Sequence, residues 1–174
     1  MVEKAILAEA YRPFVQKWGE VGQAWGLGRS AAQIHALLLV YDRPLSADEI
    51  ASALAIARSN VSASVKELKV AGLVESSRAI GDRKERLAPL DSGLATLGRL
   101  AAYRKAREID PALAALAAAP SKGPASARLG ELEATLLAVD KWVEALSSLS
   151  PAEAEAVLAA GPVAPAAKKK KKKK

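Results

Sequence analysis

The sequence predicts a mainly helical protein that carries one small β-hairpin. Apolar residues recur every three or four positions along most of the 174-residue chain, which is the period of an amphipathic helix. Convincing strand character is confined to residues 73–90, on both sides of Gly81-Asp82. An apolar content of 51% and a mean hydropathy of +0.06 suit a globular domain that is large enough to bury a core.

The N-terminal region is predicted to be a helix over residues 2–25. Pro13 is expected to kink this helix or to start a second one. Its large apolar residues are spaced alternately by three and four positions, as in a coiled-coil seam. They are Leu7, Tyr11, Phe14, Trp18, Val21 and Trp25.

Three helices are predicted between residues 30 and 71. The first, over residues 30–41, is largely apolar and ends at the turn 42–44. Ser46 and Glu49 form a capping box that predicts a short helix to Ala55. After a three-residue break, a third helix is expected over residues 58–71, with Gly72 as its C-terminal cap.

The third helix has one packing face and one free face. Val61, Val65 and Leu68 share the face that is expected to pack. The opposite face carries Ser59, Ser62, Ala63, Lys66 and Val70. A hairpin with charges at its tip follows, and Pro89 is expected to shorten its returning strand.

The C-terminal half is predicted to be helical up to Gly161. Asp91 is expected to cap a long helix to about Glu108, and Asp110-Pro111 to open a short one. A loop over residues 119–125 precedes a second apolar seam with coiled-coil spacing. This seam consists of Leu129, Leu132, Leu136, Val139, Val143 and Leu146. A final helix is expected to start at Ser150-Pro151.

Composition excludes several classes of function. The chain has no cysteine and one histidine, His35, which removes thiol nucleophiles, thiolate metal sites and pairs of histidine ligands. No nucleophile-base pair or phosphate-binding glycine loop is found, so neither enzymatic activity nor a cofactor is expected. No signal peptide or membrane span is predicted, which favours a cytoplasmic protein with no membrane partner.

The net charge of +7 is concentrated at one end. Residues 168–174 are seven consecutive lysines, and the rest of the chain carries 19 basic and 19 acidic residues. A mild basic excess remains in residues 43–86, with eight Lys/Arg against six Asp/Glu. Residues 162–174 are too biased in composition to fold, and we expect a disordered tail.

The order of three helices and a hairpin is that of a winged helix-turn-helix, and residues 30–90 fit it. In this arrangement the free face of the third helix enters the major groove, and the hairpin, or wing, meets phosphates or the minor groove. The DNA-binding residues predicted on this basis are Arg58, Ser59, Asn60, Ser62, Ala63, Lys66, Lys69, Arg83, Lys84 and Arg86.

The same residues carry a family resemblance. Residues 43–51 (RPLSADEIA), 54–68 (LAIARSNVSASVKEL), 71–74 (AGLV) and 81–84 (GDRK) resemble MarR-type winged-helix regulators, specifically the GbsR-like subgroup, and residues 107–113 (REIDPAL) are similar to that subgroup. The resemblance implies a dimeric bacterial transcriptional regulator, usually a repressor, whose flanking helices form the dimer and sometimes an effector pocket. The terminal lysines are no part of the family pattern, and Ala55 stands where such turns often use glycine.

With this resemblance, four regions are predicted. They are an N-terminal dimerisation arm (1–29), the winged helix-turn-helix DNA-binding domain (30–90), a helical dimerisation region (91–161) and the lysine-rich tail (162–174). The two seams are expected to pair within and between subunits as a homodimer. Such a dimer presents two recognition helices to half-sites about 34 Å apart, which predicts a pseudo-palindromic operator in double-stranded DNA.

Simpler interpretations stay open beside these. The polar helix face can be a solvated surface, and the wing cations can pair with Asp82 and Glu85. Trp18, Trp25 and Trp142 are either ordinary packing or an aromatic cage for a small-molecule effector, such as a cationic osmolyte. His35 is favoured as a core residue. The alternative function is a nucleoid-associated or protein-docking winged-helix protein, in which the tail binds DNA without sequence preference and the winged helix is a docking module.

Overall fold

The computed structural model describes residues 7–78, 84–90, 93–120 and 122–161. A 3-10 turn, Glu9–Tyr11, precedes the first helix, and the elements then follow in chain order. They are α1 (Arg12–Ala24), α2 (Arg29–Leu39), β1 (Leu45–Ser46), α3 (Ala47–Leu54), α4 (Arg58–Val70), β2 (Val74–Ser77), β3 (Arg86–Pro89), α5 (Gly93–Arg104), a π-helical turn (Lys105–Ile109), α6 (Asp110–Ala117), α7 (Ser126–Ser148) and α8 (Pro151–Ala160). This order confirms the mainly helical class with a small β-hairpin wing.

Helix α1 begins at Arg12 and is preceded by a 3-10 turn, so the predicted helix over residues 2–25 is corrected for residues 7–11, while residues 2–6 lie outside the described residues. Pro13 occupies the first turn, where a missing backbone N–H costs no hydrogen bond, and it therefore starts the helix instead of kinking it. Gly19 and Gly22 let α1 approach α2 closely. A Cβ at Gly19 would lie 2.6 Å from Gln33 Cγ, and one at Gly22 would collide with Ala32 Cβ. Small residues therefore set this contact.

The buried face of α1 is formed by Val15, Gly19 and Gly22 rather than by the predicted seam. Leu7 lies in the core of its own chain and is only 5% exposed, so the structure leaves it no surface for a partner subunit. Trp18 and Trp25 are half-buried against that core. Tyr11 in the 3-10 turn and Phe14 in α1 remain exposed, by 49% and 39%.

The helix-turn-helix pair is α3 and α4. The Ser46 side chain accepts a hydrogen bond from the Glu49 N–H and the Glu49 carboxylate accepts one from the Ser46 N–H, so the predicted capping box is confirmed. Ala55 ends α3 in the left-handed region, at φ 54° and ψ 41°. Glycine is the usual residue there because a Cβ costs about 1–2 kcal/mol in this conformation. The turn forms nonetheless, since Ile56 and Leu54 pack against the core on either side.

The wing belongs to a three-stranded antiparallel sheet in the order β1-β3-β2. β2 pairs with β3 from Val74 opposite Pro89 to Ser77 opposite Arg86. Pro89 is the last residue of β3, as expected for a residue without a backbone N–H. The two-residue strand β1 pairs with β3 and was not predicted, because two residues show no periodicity.

The core lies between α2 and the helix-turn-helix. Its largest fully buried side chains come from α2, α3, α4 and the sheet: Ile34, Leu37, Leu38, Leu45, Ile50, Val61, Leu68 and Leu73. Helix α2 packs on both α1 and α4. The packing face predicted for α4 is confirmed, since Val61, Val65 and Leu68 are buried.

A long helix to about Glu108 and a separate short helix were predicted, but in the structure the two are continuous. Helix α5 runs through the π-helical turn Lys105–Ile109 directly into α6, which begins at Asp110. Lys105 in the turn forms ion pairs with Asp110 at 2.8 Å and with Asp140 of α7 at 2.9 Å. Helix α5 approaches α7 at Gly98, whose carbonyl accepts a hydrogen bond from the Ser147 hydroxyl at 3.1 Å.

The residues of the second predicted seam, which lie on α7, fall into two groups that differ in exposure. Leu129, Leu136 and Val143 are half-buried, on the side that faces α5 and α6. Leu132, Val139 and Leu146 are exposed by 49%, 43% and 38%, and Trp142 beside them by 76%. We call these four exposed residues the α7 strip. Within the described ranges, no helix is long and apolar enough to cross a membrane.

Candidate nucleic-acid interface

The polar face of α4 is exposed over its whole length. Solvent reaches the side chains of Arg58, Ser59, Asn60, Ser62, Ala63, Lys66 and Lys69. Val61, Val65 and Leu68 hold the opposite face in the core, so the polar face cannot rotate inward. All seven residues that were predicted to bind DNA from this helix are therefore accessible at the surface.

Asn60 is exposed but has partners in its own chain. Its amide nitrogen donates to the Ser30 hydroxyl at 3.1 Å, and its carbonyl oxygen accepts from the Ser64 hydroxyl at 3.3 Å. A base would have to replace these bonds before Asn60 could read it. Asn60 thus also connects α4 to the start of α2 through its hydrogen bond to Ser30.

Most cations at this surface are paired with carboxylates. Asp48 contacts the guanidinium of Arg58, and Lys84 Nζ lies 3.2 Å from its other oxygen. Glu85 in the wing pairs with Lys69 of α4, with 2.5 Å between Nζ and Oε1. Glu49 accepts from Arg43 at 2.7 Å and from Arg86 at 3.4 Å. The pairs join α3, α4 and the wing into one network.

The expectation that wing cations pair with acidic residues of the wing is therefore modified. Glu85 pairs across to α4, while Lys84 and Arg86 reach the first turn of α3. Arg83, the remaining predicted wing contact, and Asp82 lie outside the described residues. These long-range pairs could not be read from spacing along the chain.

Two of these carboxylates are held firmly in their charged form. Burial opposes the ionisation of Glu49, but the hydrogen bonds from Ser46 and the nearby Arg43 guanidinium outweigh it and lower its pKa to about 2. The hydrogen bond from Lys69 lowers the pKa of Glu85. At neutral pH both residues are anions, so the cations that they contact are partly neutralised.

A groove of about 530 Å³ lies between the start of α3, the exposed face of α4 and the wing. Five cations line it, namely Arg58, Lys66, Lys69, Arg78 and Lys84, together with the two anions Asp48 and Glu85. Within the part of the chain that the structure describes, Lys66 and Arg78 form no ion pair. A phosphate group entering this groove would meet Lys66 and Arg78, although Arg78 also interacts with the Glu85 carboxylate and helps to lower its pKa.

Two further contacts hold the segment between α1 and α2 to other parts of the chain. The Glu67 carboxylate of α4 accepts a hydrogen bond from the Gly28 N–H at 2.8 Å. Two residues earlier, the Gly26 carbonyl accepts from Arg107 of the π-helical turn at 2.6 Å. Arg107 also stacks on the Tyr103 ring, 5.1 Å from its centroid. The segment 26–28 is thereby held from both sides.

The aromatic residues do not form one cage. The centroids of Phe14 and Trp25 each lie 5.5 Å from that of Trp18. The Trp18 indole N–H donates to His35 Nδ1 at 3.3 Å. Trp142 stands in an open apolar depression on α7 with Val139, Val143 and Leu146. Trp18 and Trp25 thus pack with each other, whereas Trp142 belongs to the α7 strip.

Sequence reasoning missed several residues of this surface. No pattern along the chain predicts a binding role for Asp48, Glu67 or Arg78. Arg78 was detectable as a cation of the predicted wing. The pairing of Asp48 with Arg58 and Lys84 was not detectable, because it joins residues 10 and 36 positions apart.

Comparison with known proteins places this surface in a family context. Residues 25–85 match the model of the MarR family. Over 79% of its length the chain is similar to a solved structure described as "Crystal Structure of a transcriptional regulator", with 29% identity, a TM-score of 0.63 and 95% of that chain covered. No curated protein sequence matches significantly. The family match ends within the wing, before β3, whereas the structural match covers more of the chain than the winged helix-turn-helix alone.

Proposed function

We propose that this chain, whose MarR-family domain spans residues 25–85, is a sequence-specific regulator of transcription that binds operator DNA as a homodimer. The exposed polar face of α4 beside the cation-lined groove carries this proposal. The family domain and the solved transcriptional regulator support a DNA-binding regulator rather than an enzyme.

In the proposed complex α4 is the recognition helix. Ser59, Asn60, Ser62 and Ala63 lie on its exposed N-terminal half, where side chains reach base edges in the major groove. Lys66 and Lys69 contact phosphates further along the helix, and Arg58 does so at its start. Lys84, Arg86 and Arg83 extend this contact along the wing.

The proposed dimer uses the flanking helices. The α7 strip is an exposed apolar surface of heptad spacing, which is the pattern of a helix that packs against a second copy. The N-terminal seam residues proposed to contribute to the same dimer are Tyr11 in the 3-10 turn and Phe14 and Val21 in α1. Leu129, Leu136 and Val143 are proposed to support the strip from the side of its own chain. A two-fold dimer requires an operator with two-fold symmetry.

Finer features rest on the resemblance to GbsR-like regulators. Repression, a bacterial source and action at the chromosome in the cytoplasm are proposed on this basis. A small-molecule effector, such as a cationic osmolyte, is proposed to act at Trp18 and Trp25 or at Trp142, since aromatic faces attract cations. It regulates DNA binding only if its affinity differs between two conformations of the dimer.

The test is selection of binding sites from randomised duplex DNA at about 0.15 M salt, where screening weakens loose phosphate contacts. We expect enrichment of one inverted repeat. Lys66→Ala should weaken binding to all duplexes, whereas Lys141→Ala, which removes an exposed lysine from α7, should leave it unchanged. Asn60→Ala should reduce discrimination between sites. Failure to enrich any sequence would contradict the proposal.

The alternative is a nucleoid-associated protein whose affinity comes from residues 168–174. Seven lysines can release up to seven counterions, which would steepen the logarithmic salt dependence by about 6. Deleting residues 168–174 separates the two functions. A regulator keeps its preferred site without the tail, whereas a protein that binds through its tail loses nearly all affinity.

A further inference from the structure

Asp48 lies between the start of the recognition helix and the wing. It stands in the first turn of α3, and its two carboxylate oxygens face two different elements. One contacts the Arg58 guanidinium at the first residue of α4, and the other lies 3.2 Å from Lys84 Nζ in the wing. All three side chains are about half exposed, at 48%, 59% and 50% for Asp48, Arg58 and Lys84.

These two cations are the ones that DNA would use. Arg58 and Lys84 both line the groove, and both are proposed phosphate contacts. Carboxylate and phosphate oxygens are alternative anionic partners for the same guanidinium and ammonium groups. In the free protein the Asp48 carboxylate therefore occupies the positions that phosphates would take.

We propose that Asp48 is an affinity-limiting residue, which competes inside the protein with DNA phosphates for Arg58 and Lys84. This proposal deepens the proposed function and rests on it. In wild type the exchange of Asp48 for phosphate on these two cations is therefore incomplete, and the Asp48 carboxylate stays in the groove beside the DNA backbone. Both the exchange and the remaining negative charge lower affinity for every duplex, whatever its sequence.

Asp48 differs in this respect from the other two carboxylates of the surface. Glu49 is buried and holds the capping box of α3, so its removal would damage the fold. Glu85 pairs with Lys69 alone among the proposed phosphate contacts. Asp48 is exposed, engages two of these contacts and is not needed for the capping box, which uses Ser46 and Glu49.

The salt dependence of binding provides the most direct measurement. A cation that stays paired with a carboxylate does not neutralise a DNA phosphate, so it releases no counterion from the DNA and adds little to the salt dependence. In Asp48→Asn the Asp48 carboxylate no longer competes for Arg58 and Lys84, so these cations contact phosphates and replace counterions on DNA more fully. Each restored phosphate contact steepens the logarithmic salt dependence by about 0.9, so we expect an increase of about 1–2.

The experiment compares full-length wild type, Asp48→Asn and the control Glu131→Gln by fluorescence anisotropy with a labelled random duplex and with the selected duplex. The control changes net charge equally, on an exposed residue of α7. At about 0.1 M salt, Asp48→Asn should bind both duplexes on the order of tenfold more tightly and with the steeper salt dependence. Glu131→Gln should match wild type in both.

A second comparison separates competition from support of the wing. In an Arg58→Ala, Lys84→Ala background, Asp48→Asn should no longer alter the salt dependence, because the cations for which it competes are gone. Unchanged or weaker binding by Asp48→Asn would overturn the inference and make Asp48 a support of the wing. If Asp48→Asn does not fold, Asp48→Ser takes its place, since serine is also accepted in a first helical turn. Absence of DNA binding by wild type would overturn the proposed function itself.

Discussion

His35 lies at the centre of the winged domain, on α2, with no exposed surface. Its Nδ1 accepts the Trp18 indole hydrogen bond, so the ring must carry no proton there. Within the described residues Nε2 has no hydrogen-bond partner. Burial among apolar side chains disfavours the charged ring and lowers the pKa of His35 from 6.5 to about 4. The residue is a core histidine, as its sequence context favoured.

The lowered pKa of His35 predicts acid destabilisation. The folded pKa of about 4 lies below the ordinary 6.5, so protons bind preferentially to the unfolded chain. This contribution to stability is complete above pH 6.5 and is lost as the pH falls toward 4. Its full size is about 3 kcal/mol. Urea unfolding between pH 7 and pH 4.5 should show a steeper loss of unfolding free energy in wild type than in His35→Gln.

The comparison with His35→Gln isolates the histidine, because carboxylates that titrate in the same range contribute equally to both proteins. Identical pH dependence of wild type and variant would show that His35 does not titrate between the two states. Lower stability of His35→Gln at pH 7 does not affect this test, since the readout is the slope.

Contacts of single residues were predictable when both partners are close in sequence. The caps at Ser46 and Ser150 were predictable because each bond joins residues three positions apart. The bond from Asn60 to Ser30 was not predictable, because it joins two helices. The left-handed Ala55 illustrates a third case, in which packing of the neighbouring helices imposes a conformation that alanine disfavours.

At the scale of elements, the contact of α1 with α2 depends on residues that lack side chains. Gly22 faces Ala32, and an added methyl group there would collide with the Ala32 Cβ. The apolar seam drew attention to the large residues of α1, although the small ones make the closest contact. Periodicity of large residues therefore identified the helix but did not reveal that Val15, Gly19 and Gly22 form its buried face.

Gly22→Ala should lower the free energy of unfolding by about 1–3 kcal/mol, because α1 must move away from α2. The matched control is Gly130→Ala on α7, where a Cβ meets no atom within 4 Å. Since alanine favours the helix more than glycine, Gly130→Ala should be neutral or stabilising by up to about 1 kcal/mol. Equal stability of the two variants, measured by chemical denaturation, would contradict the close contact at Gly22.

The joined helices α5 and α6 show why element boundaries were misplaced. Asp110-Pro111 is a sound signal for a helix start, and α6 does begin there. The chain nevertheless remains helical through Lys105–Ile109, because a π-helical turn accommodates the proline without a break. Ion pairs from Lys105 to Asp110 and Asp140 stabilise this turn against α7.

At the scale of the whole molecule, the α7 strip is the feature that one subunit leaves uncovered. Helix α7 uses Leu129, Leu136 and Val143 against its own chain and exposes Leu132, Val139 and Leu146. Half of the seam thus serves the fold of one subunit, and the other half supports the proposed homodimer. The spacing along the sequence identified all six seam residues, but it did not show which three pack within the chain and which three are exposed.

Val139→Glu places a charge in the middle of the strip and should weaken the proposed dimer by more than tenfold, because an unpaired charge would be buried at the interface. Leu137→Glu is the matched control, since Leu137 is 45% exposed on the opposite flank of α7. Sedimentation equilibrium should show a dimer for wild type and Leu137→Glu and a monomer for Val139→Glu. Equal dimerisation of both variants would exclude the strip as the interface.

The sequence by itself determined the elements whose cause is local. Helical periodicity, capping boxes, Gly72 and Pro89 specified the helices and the hairpin, and their order predicted the winged helix-turn-helix. It also determined which residues of α4 are exposed, because a helix with one apolar face can pack in one way only. These features depend on residues within a few positions of each other.

Only the tertiary structure decided which acidic residue pairs with which cation. Asp48, Glu49 and Glu85 meet their cations across gaps of up to 37 positions, and these pairs depend on how α3, α4 and the wing are placed in space. The same holds for the division of the α7 seam and for the contact of Gly22 with Ala32. Electrostatic and packing partners are chosen by distance in three dimensions, which spacing along one chain does not contain.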